Sequence, residues 1–201
     1  MRVSRPNFRN RNRKACHQMI YILYLILVPI SLLITLLSVI IAPILPLFAK
    51  PLMGWCNNHS YEAVEPRLPT WLNWFMTPDN SLNGDATFQT MFPPNQWWSQ
   101  VHWLWRNPAY SFALRYLHNP YYTIVKGDKT IKDNDNAKKG WLFVRANGLF
   151  QFVWIVPIGF QRCFMVNLGW NVRALVDDNV QPKPDPYQAT FVFSPRISGF
   201  R

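Results

Sequence analysis

Trp141-Leu142-Phe143-Val144-Arg145-Ala146-Asn147-Gly148-Leu149-Phe150-Gln151-Phe152-Val153-Trp154-Ile155-Val156 is the stretch whose reading decides the fold. Two runs of aromatic and β-branched residues flank Asn-Gly, the dipeptide best suited to a two-residue hairpin because both positions tolerate positive φ. With such a turn Arg145 faces Phe150, Phe143 faces Phe152 and Trp141 faces Trp154, which places an aromatic ladder on one face. Leu142, Val144 and Val153, with Gln151 among them, take the other. Both faces are then largely apolar, so each needs a cover: helices on one, and lipid or a partner on the other.

Working outward, Cys163 to Trp170 reads as a third strand after a Pro157-Ile158-Gly159-Phe160 turn, with Phe164, Val166, Leu168 and Trp170 on one side. Asp177 to Pro186 is a Pro-rich connection, and Thr190 to Phe193 a short last strand before Ser194-Pro195. Upstream, Tyr121 to Val125 has strand character and Gly127 to Gly140 is a charged loop. Between Gln96 and Leu117, Trp97, Val101, Leu104, Trp105, Ala109, Phe112, Ala113 and Tyr116 recur at three- and four-residue spacing. That spacing predicts two short helices meeting near Asn107-Pro108. The economical architecture over residues 70–201 is α+β, a small antiparallel sheet with a helical layer.

Residues 19–48 decide the class of protein. From Ala15 to Ala49 there is no Asp, Glu, Lys or Arg, and about 20 apolar residues suffice to cross a bilayer. Met19, Ile20, Leu25, Leu32, Leu36 and Ile40 are typical of this anchor. A cleaved leader fits poorly, since its apolar core is shorter and ends at a small-residue site. Pro29 predicts a kink, and Pro43 and Pro46 an end to regular helix near Ala42. One crossing is the expectation, with a hairpin turning back near Pro29 or Pro43 as the alternative. Residues 49–69, with Pro51, Gly54, Pro66 and Pro69, read as a connector.

The chain carries a net charge of +11, of which Arg2, Arg5, Arg9, Arg11, Arg13 and Lys14 supply six charges with no acid among them. Residues 1–18 therefore read as a basic arm, disordered when free, that contacts anionic lipid and orients the N-terminus toward the cytoplasm. Nucleic acid is the weaker reading of the same charges. Trp97, Trp98, Trp103, Trp141 and Trp154 are candidates for the membrane interface, where an indole suits both phases, although a core role is the default for the cluster Trp97, Trp98, Trp103 and Trp105.

Asp79, Ser81, Asn83 and Asp85 alternate with Gly84 as in a calcium-binding loop, but the twelfth position is Thr90 rather than a bidentate Glu. The competing reading is a turn in which these side chains cap local backbone groups. Cys16, Cys56 and Cys163 show no metal-ligand spacing, and a Cys56 to Cys163 bridge requires an oxidising compartment. No phosphate loop, nucleophile elbow or paired-carboxylate spacing is present, and His17, His59, His102 and His118 are isolated in sequence. These features predict a protein that is not an enzyme and needs no cofactor.

The chain resembles a family of membrane-associated proteins encoded by tailed bacteriophages. The resemblance rests on the apolar segment, Trp71-Leu72-Asn73-Trp74-Phe75, Thr77-Pro78-Asp79-Asn80-Ser81-Leu82, Gly84-Asp85, Trp103-Leu104-Trp105-Arg106-Asn107-Pro108-Ala109-Tyr110, Asn167-Leu168-Gly169-Trp170 and Phe193-Ser194-Pro195. It implies expression in a bacterial host and transfers no activity or catalytic residue. The basic arm departs from members that begin almost directly with the apolar segment. The expectation is a membrane-anchored accessory protein in the host inner membrane that binds a host or phage protein, or else a virion component acting in assembly or genome entry.

Overall fold

A computed structural model describes residues 8–53, 64–132, 138–176 and 184–199. In chain order the elements are helix α1 (Phe8–Ile41), strands β1 (Lys50–Met53) and β2 (Val64–Arg67), and helices α2 (Ala86–Gln89) and α3 (Trp97–Arg106). Strands β3 (Arg115–Leu117), β4 (Tyr122–Gly127), β5 (Gly140–Ala146), β6 (Leu149–Gly159), β7 (Arg162–Trp170), β8 (Tyr187–Ala189) and β9 (Phe191–Gly199) follow. The class is α+β: an apolar N-terminal helix followed by antiparallel sheets and a few short helices.

The chain divides into two compact units that share α1. One comprises residues 1–28 and 115–201, the other residues 29–114. An apolar helix passing through water-soluble surroundings must find cover, and each half of α1 finds some of it in its own unit.

In the first unit a five-stranded antiparallel sheet runs in the order β4-β5-β6-β7-β9, with β3 paired to β8 beside it. The hairpin register is the one the turn dictates: Arg145 opposite Phe150, Phe143 opposite Phe152, Trp141 opposite Trp154. Asn147 and Gly148 take the positive φ values that such a tight turn requires. The β6–β7 turn is centred on Phe160-Gln161, two residues later than the expected Pro157 to Phe160 turn, because Pro157 and Gly159 are absorbed by an irregularity in the ladder. β9 likewise runs past Ser194-Pro195 to Gly199 instead of ending at Phe193. It is an edge strand, and a proline with no N–H to give is tolerated there.

One sheet face is fully covered. Leu142, Val144, Val153, Ile155, Cys163 and Met165 are buried with Ile131, Val172 and Leu175. Gln151 and Asn167 lie on that face and satisfy each other at 2.9 Å, while Gln151 also accepts the Arg173 N–H at 2.6 Å. The aromatic face is covered at one end only, where Tyr24 of α1 seats among Phe150, Trp170 and Phe191 at ring separations of 5.2, 5.7 and 5.1 Å. Gly169 permits this close packing: a Cβ there would stand 2.1 Å from the Phe150 carbonyl oxygen.

In the second unit, Ala42, Leu45, Leu68, Leu72, Met76, Leu82, Val101 and Leu104 form the core. Part of the expected connector is ordered, since Lys50–Met53 pairs with Val64–Arg67 as an antiparallel ribbon. Only one of the two helices predicted around Asn107-Pro108 forms. α3 ends at Arg106, and Ala109 and Ala113 adopt positive φ, incompatible with a continuing helix. The basic arm is also shorter than expected, because α1 begins at Phe8. Helix propagates into Arg, Lys and Ala readily once an apolar segment nucleates it. Arg2 and Arg5 lie outside the described residues, as do the side chains of Arg9, Arg11, Arg13 and Lys14.

Candidate membrane-contact site

Within Gln18–Ile41 the two sides of α1 differ in chemistry. Beyond the terminal Gln18, every side chain able to hydrogen-bond, namely Tyr21, Tyr24, Ser31, Thr35 and Ser38, is buried or half-buried. The outward positions are purely aliphatic: Met19, Ile22, Leu25, Ile26, Ile30, Leu32, Leu33, Leu36, Leu37, Val39 and Ile40. Of the residues taken as the anchor, Met19, Leu25, Leu32, Leu36 and Ile40 are among them. Ile20 is the exception and packs against the first unit's core.

A helix on a water-soluble protein shows the reverse arrangement, apolar side in and polar side out. Fully burying one large aliphatic side chain yields roughly 1.5–3 kcal/mol. Eleven left in water thus forgo something of the order of 10 kcal/mol even if each gains only half that amount. This rivals the whole stability of a domain, so the outward stripe is suited to an apolar phase. The 24 residues from Gln18 to Ile41 span about 36 Å, against the roughly 30 Å of a bilayer's hydrocarbon core.

The C-terminal end of α1 carries a collar of indoles. Pro43 has no N–H for the Val39 carbonyl, and the Trp105 Nε1–H donates to that oxygen instead, at 3.0 Å. The Trp97 Nε1–H donates to the Pro43 carbonyl at 3.0 Å. Trp98 packs edge-on to Trp105 and stacks on Trp97, while Phe48 meets Trp71 in a T-shaped contact. All five rings remain substantially exposed. Trp103, expected with this group, is instead only 3% exposed, because its place on α3 points it at Phe88 and over Gly84, where a Cβ would collide with it. Trp141 and Trp154 are exposed, as an interface role requires.

The calcium-like spacing resolves into caps. Asp85 accepts the Phe88 N–H at 2.7 Å as the N-cap of α2, and Ser81 Oγ accepts the Asn83 N–H at 3.2 Å. Asn83 exchanges two hydrogen bonds with Asn95. Short polar side chains satisfy backbone donors locally before they can converge on an ion. Among the described residues no group of three or more His, Cys, Asp or Glu side chains is placed to hold a metal.

Of the four histidines, His102 and His118 have described side chains, and they fare differently. His102 Nδ1 lies 2.9 Å from the Trp98 carbonyl, and its ring stacks on Phe92 and meets Trp105 edge-on. His118 stands 3.4 Å from Asp185, both exposed, and Asp185 also accepts the Asn119 N–H, a clasp beside the β3–β8 ribbon. Cys163 is a buried free thiol on the covered sheet face, and Cys56 lies outside the described residues. Asp128 accepts from Lys138 at 2.8 Å and from the Thr130 hydroxyl and N–H, which hold its carboxyl well below the usual carboxylate range.

Sequence reasoning missed the packed side of α1. Tyr24, Ser31, Thr35, Ser38 and Ala42 follow one another at intervals of seven, four, three and four residues. That signal of a protein-facing stripe was available inside an otherwise featureless apolar run.

Together these features define an α+β protein with one N-terminal helix long and apolar enough to cross a membrane. The chain belongs to DUF7338, a family of unknown function, whose model matches residues 17–198 and so takes in the helix as well as both units. No curated protein and no solved structure matches it.

Proposed function

We propose that the protein is a non-enzymatic, membrane-anchored accessory protein, with the aliphatic side of α1 seated in the bilayer and the rest of the chain presenting a surface to a host or phage protein at the inner membrane. The observation that carries the anchoring is the reversed polarity of α1, aliphatic outward and hydrogen-bonding inward. The phage origin rests on the sequence resemblance, and the cytoplasmic N-terminus on the six basic residues that precede the span.

Retention of the helix in the mature protein has its own support. Tyr24 fills the space between Phe150, Trp170 and Phe191 and donates its hydroxyl to the Val192 carbonyl at 2.8 Å. Ser38 is fully buried and its Oγ accepts the Ala109 N–H at 3.1 Å. A cleaved leader would strip a core residue from each unit.

The test is alkaline carbonate extraction of membranes from expressing bacteria, with reporter fusions at both termini and mass spectrometry of the N-terminal peptides. The expected result is a carbonate-resistant, uncleaved protein with both termini on the same side, since Tyr24 holds β9 beside the N-terminal half of α1. Release into the supernatant, or loss of residues 19–41 from the mature chain, would refute the anchor. A partner is expected in affinity purifications from infected, detergent-solubilised cells, and its absence would remove the accessory role.

A further inference from the structure

The aromatic face of the five-stranded sheet is covered by α1 only along the row that contains Phe150, Trp170 and Phe191. Beyond that row, exposed apolar side chains continue to the far end of the sheet. Trp141 pairs with Trp154, Phe164 pairs with Ile197, and the β6–β7 turn projects Ile158 and Phe160. The strip is therefore continuous by register on the same side of the sheet as the helix.

Phe160 is the sharpest feature. Its side chain is 100% exposed and its φ is +50. The backbone is what a two-residue hairpin turn requires, since Gln161 beside it has φ +55, but a phenyl ring left in water forgoes its burial. A fully exposed ring at a tip that continues an exposed apolar strip points to something outside the chain that receives it.

Charge identifies the recipient. The five strands carry Lys126, Arg145, Arg162 and Arg196 and not one Asp or Glu. Arg162 flanks the tip, Lys126 stands opposite Phe143 on the aromatic face, and both are exposed, whereas Arg196 pairs with Met165 and so lies on the other face. Aromatic rings at the level of the headgroups, a fully exposed apolar tip and cations beside it match an anionic lipid surface. A protein partner of the usual kind would need no such uniform absence of acids.

We infer that the Trp141–Trp154–Phe164–Ile197 face and the Phe160 tip dock flat on the bilayer that α1 enters, so that the first unit is held to anionic lipid by a second contact besides the helix. This rests on the membrane-anchored reading above.

The experiment places a nitroxide at residue 160 (F160C, in full-length protein carrying C16S and C56S) and measures its collisions with oxygen and with a water-soluble nickel chelate. The protein is reconstituted in phosphatidylcholine vesicles with phosphatidylglycerol. T123C, at the other end of the sheet, is the comparator, and I197C gives a second reporter should F160C misfold. Labels at 160 and 197 should be oxygen-rich and nickel-poor relative to 123, and the double variant K126E/R162E should shift 160 toward the values at 123. Equal nickel access at 160 and 123 in protein that still resists carbonate overturns the docking and leaves the anchor standing. Shielding that vanishes when the protein is diluted among vesicles identifies a second copy as the cover and also overturns it. Extraction of the protein by carbonate instead brings down the anchored reading itself.

Discussion

The two units hold the two halves of one helix by opposite means. In the first, a single large ring does the work: Tyr24 enters an aromatic nest on a sheet, and Gly169 clears the space behind it. In the second, small residues do it. Ser38 and Ala42 are fully buried, so that the backbone at Ala109 comes within hydrogen-bonding distance of Ser38 Oγ, and indoles from α3 satisfy carbonyls at the helix end. The difference follows from what faces the helix. A sheet offers side chains among which a ring can interdigitate, whereas a tight turn offers backbone, which only a small residue can approach.

The sharpest way to break this comparison is to delete the ring. Tyr24→Ala removes three aromatic contacts and a hydrogen bond, and should cost about 3–5 kcal/mol, in the range for large aromatic truncations in cores. Hydrogen exchange in nanodiscs should show β6, β7 and β9 losing protection while α3 keeps it. Equal loss in α3 would mean that the units do not hold the helix separately. The complementary change, Ser38→Leu, forces a large side chain into a site with no exposure and orphans the Ala109 N–H. It should cost roughly 2–3 kcal/mol, from overpacking together with the lost hydrogen bond, and the protection lost should be that of α3 and the turn after it.

A finer comparison lies at Pro43. Trp105→Phe removes the indole donor to the Val39 carbonyl and should cost about 1 kcal/mol. In a Pro43→Ala background the restored N–H can serve that oxygen, so the same substitution should cost measurably less. A double-mutant cycle should return a coupling of roughly 0.5–1 kcal/mol, and a coupling of zero would show that the indole is held by packing alone.

Local chemistry made some of this legible in the sequence and long-range packing hid the rest. Asn147-Gly148 sets the hairpin register within its own few residues, and Pro43 ends α1 by removing a donor, so both were readable without the fold. The assignment of α1 to two cores was not, because a run of Ile and Leu has no hydrophobic contrast, and the informative residues are its few small and polar ones. The second predicted helix failed because Ala109 and Ala113 turn left-handed, a conformation with no glycine to announce it. The candidate surface was half legible. Exposed Trp141 and Trp154 followed from the ladder, but the Phe160 tip depended on a turn that lies two residues further along the chain.

The smallest expected effect concerns the covered face of the sheet, opposite the aromatic one. The loop that buries Ile131 there is fastened by Asp128, whose carboxylate bonds Lys138 and Thr130 at the surface. Because these donors hold the folded carboxyl below its ordinary range, the contribution is present above the unfolded value of about 3.9 and fades as pH falls through the depressed one. Both partners are solvent-exposed, so the gain is screened and the effect on overall stability should be slight. A carboxyl-carbon NMR titration of Asp128 should therefore show a midpoint well below that of an ordinary aspartate. Lys138→Ala should raise the midpoint, since the Lys138 hydrogen bond is the largest cause of the depression, and Thr130→Val should raise it less. If Lys138→Ala leaves the midpoint unmoved, Thr130 alone fastens the loop, and the cover over Ile131 owes nothing to charge.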